Sequence, residues 1–243
     1  MNPFRRLLQW PLSLLFVGQM YLAMPLLAVF FTPWAIVDRR GAFAGCRTYC
    51  RWVRFSARIL VGLRSEVRGI VPDQEVLIAA KHQSFFDILM IVSVVPRPKF
   101  IMKQELVRAP ILGWYALRLG CVPVERGKRG AAISQMLSDV EAGRAAGGQL
   151  IIYPQGTRVA PGTKAPYKAG TGALYEQLGQ TCVPAATNVG MFWPRTGIYR
   201  KPGLAVVEFL PSVPPGQPVE AFMADLENTI ETASQALMEE AQR

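Results

Sequence analysis

The pattern of hydrophobic and polar positions divides the chain into two parts. Residues 7–37 form a run of 31 positions without a charged side chain. As one straight helix this run would be about 46 Å long, more than the roughly 30 Å hydrocarbon core of a bilayer. Pro11, Pro25 and Pro33 lie within the run and disfavour a straight helix. The pattern therefore predicts either a kinked membrane span or a re-entrant hairpin.

A cleaved signal peptide is the alternative interpretation of this apolar run. Arg5 and Arg6 precede it, as in the basic segment that begins such a peptide. However, the run is long for the apolar core of a signal peptide, and no clean A-x-A site ends it. Arg39 and Arg40 follow it, as they would after a stop-transfer segment. The sequence therefore favours a retained membrane anchor.

Residues 42–63 have the periodicity of an amphipathic helix with a basic stripe. Arg47, Arg51, Arg54 and Arg58 are spaced i, i+4, i+7 and i+11, which places them along one side of a helix. Apolar and aromatic residues lie between them. Such a helix either lies on a membrane surface or exposes a solvated face in a globular protein.

After Gly69, short apolar runs alternate with helical patterns. The predicted strands are residues 75–80, 99–102, 121–125, 149–154, 181–189 and 204–210. The predicted helices are residues 84–95, 110–119, 131–146, 170–178 and roughly 218–242. This alternation predicts an α/β fold with a largely parallel sheet flanked by helices. We therefore divide the chain into an N-terminal membrane-docking helical region, residues 1–64, and an α/β domain, residues 65–243.

Composition and charge support a membrane-associated protein. Apolar residues make up 51% of the 243 positions, charged residues 18%, and the mean hydropathy is +0.20. The net charge is +10, and residues 1–70, with ten Arg, no Lys and two acidic residues, supply +8 of it. These arginines lie beside the apolar run, and no ordered nucleic-acid-binding signature accompanies them. We therefore expect an anionic membrane surface as a partner, and no nucleic acid.

The cysteine and histidine content argues against a metal site. The four cysteines have no CxxC spacing, and a single histidine cannot complete a Cys/His zinc set. We expect reduced thiols in a protein that faces the cytosol, with no metal and no cofactor. The nucleophile-elbow motif GxSxG and the phosphate-binding motif GxxxxGK[ST] are both absent.

The only histidine lies in the stretch KHQSFFD, residues 81–87. His82 follows a predicted buried strand, and Asp87 falls in the first turns of the next predicted helix. A loop-to-helix turn between them can bring the Asp87 carboxylate back to imidazole Nδ1. The carboxylate would then fix the tautomer and leave Nε2 free to accept a proton. The alternative is a histidine that only ends a strand, with Asp87 favouring the positive end of a helix.

Four further stretches accompany KHQSFFD. They are KQELVRAPILGW (103–114), CVPVERG (121–127), YPQGTR (153–158) and VPAATNVG (183–190). In order and spacing, these motifs resemble those of the glycerolipid acyltransferase family, and most of all its bacterial lysophosphatidate (1-acyl-sn-glycerol-3-phosphate) acyltransferases. The resemblance covers roughly residues 65–210, which would be the acyltransferase domain. The apolar and basic N-terminal region is similar to the membrane-docking element of that family.

The resemblance implies an enzyme that moves a fatty acyl group from acyl-CoA or acyl carrier protein to the free hydroxyl of lysophosphatidate. His82 would deprotonate that hydroxyl, and Asp87 would orient His82. Because Ser84 and the cysteines have no second histidine to activate them, we expect direct attack in a ternary complex rather than a covalent acyl-enzyme. A basic surface would attract either donor; its residues are Lys99, Arg108, Arg118, Lys128 and Arg129.

The resemblance also implies a site for the phosphate of the acceptor. Its matching positions are Lys103, Arg126, Gly156, Thr157 and Arg158. Converging cations suit a phosphate, arginine offers a bidentate fork, and glycine lets the backbone approach closely. For any one cation taken alone, a solvated surface charge is the competing interpretation.

The chain departs from the family pattern at one position. The family usually has Glu before Gly-Thr-Arg, and this chain has Gln155. Gln keeps an amide for hydrogen bonding but has no charge. From the sequence, we expect Gln155→Glu, which restores the usual carboxylate, to preserve or raise activity if the local geometry is that of the family.

Two alternative functions remain at this point. One is the same chemistry on another lyso-lipid, such as lyso-ornithine lipid. The other is a non-catalytic basic membrane-binding module in which His82 is structural. For the enzyme, the expected location is the inner (cytoplasmic) membrane, with the active domain on the cytoplasmic face.

Overall fold

A computed structural model describes residues 3–124, 134, 137–138 and 147–243, with side chains from residue 7 onward. Its helices are α1 (Pro3–Val37), α2 (Arg39–Val61), α3 (Phe85–Val94), α4 (Pro110–Leu119), α5 (Ala169–Leu178) and α6 (Val219–Glu240). Its strands are β1 (Leu63–Arg68), β2 (Leu77–Ala80), β3 (Pro98–Lys103), β4 (Val122–Val124), β5 (Gln149–Ile152), β6 (Cys182–Thr187) and β7 (Gly203–Phe209). Most of the predicted helix 131–146 lies outside the described residues.

The strands form one seven-stranded sheet in the order β1-β7-β6-β2-β5-β3-β4. Every neighbouring pair is parallel except β6 and β7, which are antiparallel. The predicted α/β fold with a largely parallel sheet is therefore confirmed. The parallel arrangement brings the carboxyl ends of β2, β3, β4, β5 and β6 to one edge, where open α/β sheets place their ligands.

Strand β1 was not predicted. It was assigned in part to the preceding amphipathic helix, because Leu63 continues the apolar pattern of α2. The helix ends at Gly62, whose φ of 69° lies in the left-handed region that glycine adopts readily. The proposed division between residues 64 and 65 cuts through β1, which pairs with β7 from Leu63 onward. The division into two domains stays a prediction.

Helices cover both faces of the sheet, and each face has its own core. Alternate residues of β2 show this most clearly, since Ile78 and Ala80 join the cluster beneath α2 and α3. Leu77 and Ala79 join the cluster beneath α5 and α6. The side-chain period of two in a strand produces this division.

The N-terminal helices α1 and α2 form an antiparallel hairpin. Helix α1 continues through all three prolines, and the chain reverses at Asp38, after the apolar run rather than within it. Small residues allow close packing near the turn, because a side chain at Gly41 would meet the backbone of Trp34 and Ala35. The Asp38 side chain accepts a hydrogen bond from Arg40 N and begins α2.

One side of α1 is built into the domain. Gln9 donates hydrogen bonds to the carbonyls of Val61 and Arg200 at 2.9 and 2.8 Å. Ser13 accepts one from Arg200 N at 3.0 Å, and buried Phe16 packs edge-on against Trp193. These contacts attach α1 to the domain, and the retained anchor stays a prediction.

The opposite side of α1 is apolar and exposed. Its large exposed side chains include Leu14, Leu22, Leu26, Val29 and Phe30. Residues 7–37 are long and apolar enough to cross a membrane, by length and composition. This exposed apolar side fits the predicted association with a membrane.

The basic stripe of α2 is divided between two roles. Arg47 donates to the carbonyls of Val95 and Pro96, and Arg54 donates to the hydroxyls of Ser65 and Ser93. These two arginines fasten α2 to neighbouring elements, so the prediction of a uniform surface stripe is wrong for them.

The remaining two arginines of the stripe, Arg51 and Arg58, are exposed. They lie on the same helix as exposed Trp52, Phe55 and Ile59. This pair remains suited to a membrane surface.

Candidate active site

His82 and Asp87 form a hydrogen-bonded pair at the carboxyl end of β2. His82 Nδ1 lies 2.9 Å from Asp87 Oδ1. The Asp87 side chain is buried, whereas the His82 side chain is 12% exposed. One ring nitrogen is therefore held by a buried carboxylate, and the ring still reaches the surface of the site.

The second oxygen of Asp87 is held by the backbone. Asp87 Oδ2 accepts hydrogen bonds from Gln83 N at 2.9 Å and Ser84 N at 2.8 Å. Ser84 is the N-cap of α3, so the capping box of this helix also fixes the carboxylate that holds His82. The five-residue spacing predicted from the sequence thus results from a strand end, a short turn and a capped helix.

Tyr153, at the end of β5, forms one wall of the site, and sequence reasoning gave it no role. Its ring stacks on His82, with the centroids 3.9 Å apart and an interplanar angle of 18°. Its hydroxyl lies 3.5 Å from Asp87 Oδ1. Burial, and then the neighbouring Asp87 carboxylate, raise the pKa of Tyr153 well above 10, so the phenol stays protonated. Its place at a strand end, directly before the Gln-Gly-Thr-Arg stretch, was the available signal.

The loop after β5 turns tightly beside His82. Gly156 N donates to the carbonyl of Tyr153 at 2.8 Å, and the φ of Gly156 is 66°, in the left-handed region that favours glycine. Val159 N donates to the carbonyl of His82 at 2.8 Å. The turn therefore fastens the segment with Thr157 and Arg158 to the strand end that carries the histidine.

Arg158 is partly exposed and exchanges side-chain to backbone hydrogen bonds with Arg195. Arg158 Nη1 donates to the carbonyl of Arg195 at 3.1 Å, and Arg195 Nη1 donates to the carbonyl of Arg158 at 3.4 Å. Each guanidinium group is thereby held beside the backbone of the other arginine. Sequence reasoning missed Arg195, because it lies in a loop far along the chain and belongs to none of the quoted motifs.

The structure describes only one of the other two predicted phosphate-binding cations, Lys103 and Arg126. Lys103 is exposed at the end of β3, on the same edge of the sheet as His82. Arg126 lies outside the described residues, two positions after β4. The structure therefore pairs His82 with Asp87, attaches the loop after β5 to the backbone of His82, and places Lys103 on the same edge of the sheet.

The motif residues Gln83 and Asn188 connect the site to the rest of the domain. Gln83 Oε1 accepts a hydrogen bond from Gly190 N at 3.0 Å. Asn188 accepts from Val206 N at 2.7 Å and donates to the carbonyl of Leu237 at 3.1 Å. These buried amides hold β6, β7 and α6 around the strand ends, which is a structural role.

The predicted basic surface for the donor requires correction. Lys99 is only 2% exposed, and burial first, then nearby Arg39, lower its pKa to about 8. Arg118 donates to the carbonyls of Ala35 and Ile36 at the end of α1. Lys128 and Arg129 lie outside the described residues, so exposed Arg108 is the described member that fits the prediction.

Neither a cluster of metal ligands nor a disulfide is seen in the part of the chain that the structure describes. No three His, Cys, Asp or Glu side chains there are grouped to hold a metal ion. The four cysteines are unpaired, and three of them are buried.

Comparison with known proteins gives three consistent results. The chain matches the family model described as Acyltransferase over residues 64–188. A 1-acyl-sn-glycerol-3-phosphate acyltransferase of Pseudomonas aeruginosa is 28% identical over 169 residues, which are 69% of this chain and 66% of that protein. The human 1-acyl-sn-glycerol-3-phosphate acyltransferase alpha is 32% identical over 131 residues, which are 52% of this chain and 46% of that protein. The matches thus span less than two thirds of either relative.

The structural comparison covers more of the chain. The crystal structure of the 1-acyl-sn-glycerophosphate (LPA) acyltransferase PlsC from Thermotoga maritima superposes with a TM-score of 0.79 at 20% sequence identity. The superposition covers 96% of this chain and 97% of that chain, and at this identity it shows a shared fold. The resemblance predicted from the motifs is confirmed, and since the family model spans more than half of its residues, the chain belongs to the acyltransferase family.

Proposed function

We propose that this chain transfers a fatty acyl group from a thioester donor to the free hydroxyl of lysophosphatidate, giving phosphatidate, with His82 as general base. Relatives named as 1-acyl-sn-glycerol-3-phosphate acyltransferases support the reaction and the acceptor. The observation that carries the role of His82 is its hydrogen bond to buried Asp87. That bond uses Nδ1 and leaves Nε2 available to a substrate.

The proposed reaction needs one proton acceptor and no covalent intermediate with the enzyme. Nε2 of His82 accepts the proton of the acceptor hydroxyl as its oxygen attacks the thioester carbonyl carbon. The new C–O bond forms, the C–S bond breaks, and the departing thiolate takes the proton back from His82. Asp87 stabilises the imidazolium between these steps, and its two backbone hydrogen bonds keep it in place.

The acceptor phosphate would bind beside this base. Arg158 supplies a bidentate fork on the loop that is hydrogen-bonded to the His82 backbone. Gly156 and Thr157 belong to the same loop, Lys103 lies at the same edge of the sheet, and Arg126 is assigned by its motif. Arg195 joins this set because its guanidinium donates to the backbone carbonyl of Arg158, and that of Arg158 donates to the carbonyl of Arg195.

The membrane supplies the lyso-lipid acceptor in this proposal. The exposed apolar side of α1 would enter the bilayer, and Arg51 and Arg58 would contact anionic headgroups. The active domain would lie on the cytoplasmic face of the inner membrane, where acyl-CoA and acyl carrier protein are available as donors. The region 1–64 would then serve as the docking element, although its inner face also covers the core of the domain.

The alternatives make different demands on the site. A non-catalytic membrane-binding module has no need for a buried carboxylate that holds a histidine through Nδ1. Lyso-ornithine lipid carries an amine and no phosphate, so a site that contains both Arg158 and Arg195 suits it poorly. The acceptor panel described next discriminates it from lysophosphatidate.

The test uses the purified full chain in lipid nanodiscs, with labelled acyl-CoA and acyl carrier protein as separate donors. Lysophosphatidate and lyso-ornithine lipid are offered as separate acceptors. We expect labelled phosphatidate from the wild type and none above background from His82→Ala. Wild-type turnover by His82→Ala, prepared free of host enzyme, would contradict the general base. Acylation of lyso-ornithine lipid alone would contradict the acceptor.

A further inference from the structure

Lys81 and His82 are consecutive residues at the end of β2, and their side chains lie on opposite faces of the sheet. His82 reaches Asp87 on the face covered by α3. Lys81 reaches Glu231 of α6 on the other face. The alternation of side chains along an extended segment accounts for this division. A contact that holds the Lys81 side chain in place therefore also restrains the backbone of His82.

Lys81 is a buried cation, and Glu231 is its partner. Its side chain is 3% exposed, and Nζ lies 2.6 and 2.7 Å from the two carboxylate oxygens of Glu231. A buried ammonium is costly unless it is paired, so the position of this carboxylate determines where Lys81 is held. Glu231 itself is 34% exposed and borders a cavity of about 450 Å³, which gives the carboxylate access to water.

The same carboxylate also holds the loop after β5. Glu231 Oε1 accepts a hydrogen bond from Tyr167 Oη at 3.0 Å and lies 3.5 Å from Gln155 Nε2. Gln155 is buried and also donates to the carbonyl of Ala165 at 3.2 Å. Burial, followed by the Glu231 charge, raises the pKa of Tyr167, so the phenol remains a donor. One side chain of α6 thus joins the strand end before His82 to the loop that carries Arg158.

We propose that Glu231 is a positioning residue of the acyl-transfer site. Its carboxylate binds both Lys81 and the loop that contains Gln155, and thereby holds the backbone that carries His82. The inference rests on the proposed function. Its physical basis is a charge balance: one buried ammonium is matched by one carboxylate, and Gln155 is a neutral donor to that carboxylate. Gln155 Nε2 lies 3.5 Å from Glu231 Oε1, which lies 2.6 Å from Lys81 Nζ. We therefore expect that a carboxylate at position 155 can carry this charge in place of Glu231.

This balance reverses the sequence-based expectation for Gln155→Glu. A carboxylate at 155 would lie where an amide now faces Glu231 Oε1, and two carboxylates would then share one ammonium. Repulsion between them would displace the loop and the strand end. Moving the charge, by combining Gln155→Glu with Glu231→Gln, keeps a single carboxylate beside Lys81 and should restore the arrangement.

The experiment is a double-mutant cycle on the full chain in nanodiscs. It compares the wild type, Gln155→Glu, Glu231→Gln and the double variant. Asp225→Asn, at an exposed position on the same helix, is the matched control for loss of a carboxylate. Lys81→Met tests whether the ammonium that pairs with Glu231 is required. For each protein, kcat, KM for lysophosphatidate and for acyl-CoA, and Tm are measured.

We expect each single variant of the cycle, and Lys81→Met, to lower kcat by on the order of 10²-fold, because His82 is displaced relative to the substrate. KM for the donor should change by less than about threefold, and Asp225→Asn should match the wild type. The double variant should recover to within about threefold of the wild-type kcat. All kcat values are taken well below the Tm of each variant and per folded protein, so a loss of stability alone lowers none of them. Additive losses in the double variant, or unchanged kcat in Glu231→Gln, would overturn the proposal.

The stability arm separates this inference from the proposed function. If the wild type transfers no acyl group to lysophosphatidate, the proposed function fails. The coupling between positions 155 and 231 is then read from Tm alone: recovery in the double variant supports the shared carboxylate, and additivity overturns it. If the wild type is active and the cycle is additive, only the positioning role fails.

Discussion

The imidazole of His82 lies almost flat against the ring of Tyr153, with the centroids 3.9 Å apart. This stack leaves the ring little freedom to turn, while Asp87 fixes its Nδ1 edge. The two neighbours restrict different motions of the same group. Tyr153 restricts tilting of the ring, and Asp87 determines which nitrogen faces the substrate.

Substitution of Tyr153 should separate ring packing from hydroxyl chemistry. Tyr153→Phe keeps the stack, and we expect kcat within about threefold of the wild type, because the long contact to Asp87 is a weak one. Tyr153→Ala removes the stack, and we expect at least a tenfold lower kcat and a stability loss of roughly 3 kcal/mol. Steady-state kinetics and thermal unfolding measure both. Equal kcat values for the two variants would show that the ring does not position His82.

Asp87→Asn should impair the base without dismantling α3. The neutral amide can still accept the backbone hydrogen bonds of the cap but no longer stabilises an imidazolium, so we expect kcat to fall by on the order of 10²–10⁴. Ser84→Ala is the matched control, since it removes the side-chain cap of the same helix at a cost of about 1 kcal/mol. A larger kcat loss in Ser84→Ala than in Asp87→Asn would argue that the helix, and not the carboxylate charge, matters.

Arg158→Ala should weaken acceptor binding and turnover together. Loss of a charge-assisted contact worth roughly 1.5–3 kcal/mol should raise KM for lysophosphatidate and lower kcat, with the donor KM nearly unchanged. Arg158→Lys should rescue only in part, because a point charge does not reproduce the fork. Exposed Lys201 provides the control variant Lys201→Ala. A raised donor KM with normal acceptor kinetics would move Arg158 to the thioester side.

The arginines of α2 should divide into two pairs. Removing exposed Arg51 and Arg58 should weaken binding to anionic vesicles by about 2 kcal/mol, at roughly 1 kcal/mol each, and leave Tm unchanged. Removing Arg47 and Arg54 should lower Tm, since their hydrogen bonds to α3, the residues after it and β1 are lost. Vesicle flotation and thermal unfolding of the two double alanine variants test this. Equal Tm losses in both would mean that all four arginines are structural.

Lys99 should make stability depend on pH in the alkaline range. Burial, and then Arg39, lower its pKa from 10.5 to about 8. The unfolded chain then holds the proton more tightly than the folded one, so this residue costs stability at neutral pH. The cost declines as the pH rises from about 8 towards 10.5.

The comparison of Lys99→Met with the wild type isolates this effect from other titrating groups. The Tm advantage of Lys99→Met should be largest below pH 8 and shrink above it. Lys201→Met, at an exposed position, should show no such trend. A Tm difference that is constant from pH 7 to pH 10 would contradict the expectation.

The amino-acid sequence by itself determined the features that depend on neighbouring residues. The strands of the sheet follow from short apolar runs, and the His82–Asp87 pair follows from a turn and a capped helix within six residues. The Gly156 turn is equally local. Strand β1 escaped prediction because four of its six residues are polar and its first residue, Leu63, continues the apolar pattern of the helix before it.

Only the tertiary structure decided which distant residues complete the site. Tyr153 contacts Asp87, which lies 66 positions earlier in the sequence, and Glu231 contacts Lys81, which lies 150 positions earlier. The inward direction of Arg47 and Arg54 likewise depends on where α3 and β1 lie, since the same helical spacing serves equally for a solvated face. Periodicity records which side of an element is apolar, but the partner of a polar group is set by how the elements pack, and that information is spread over the whole chain.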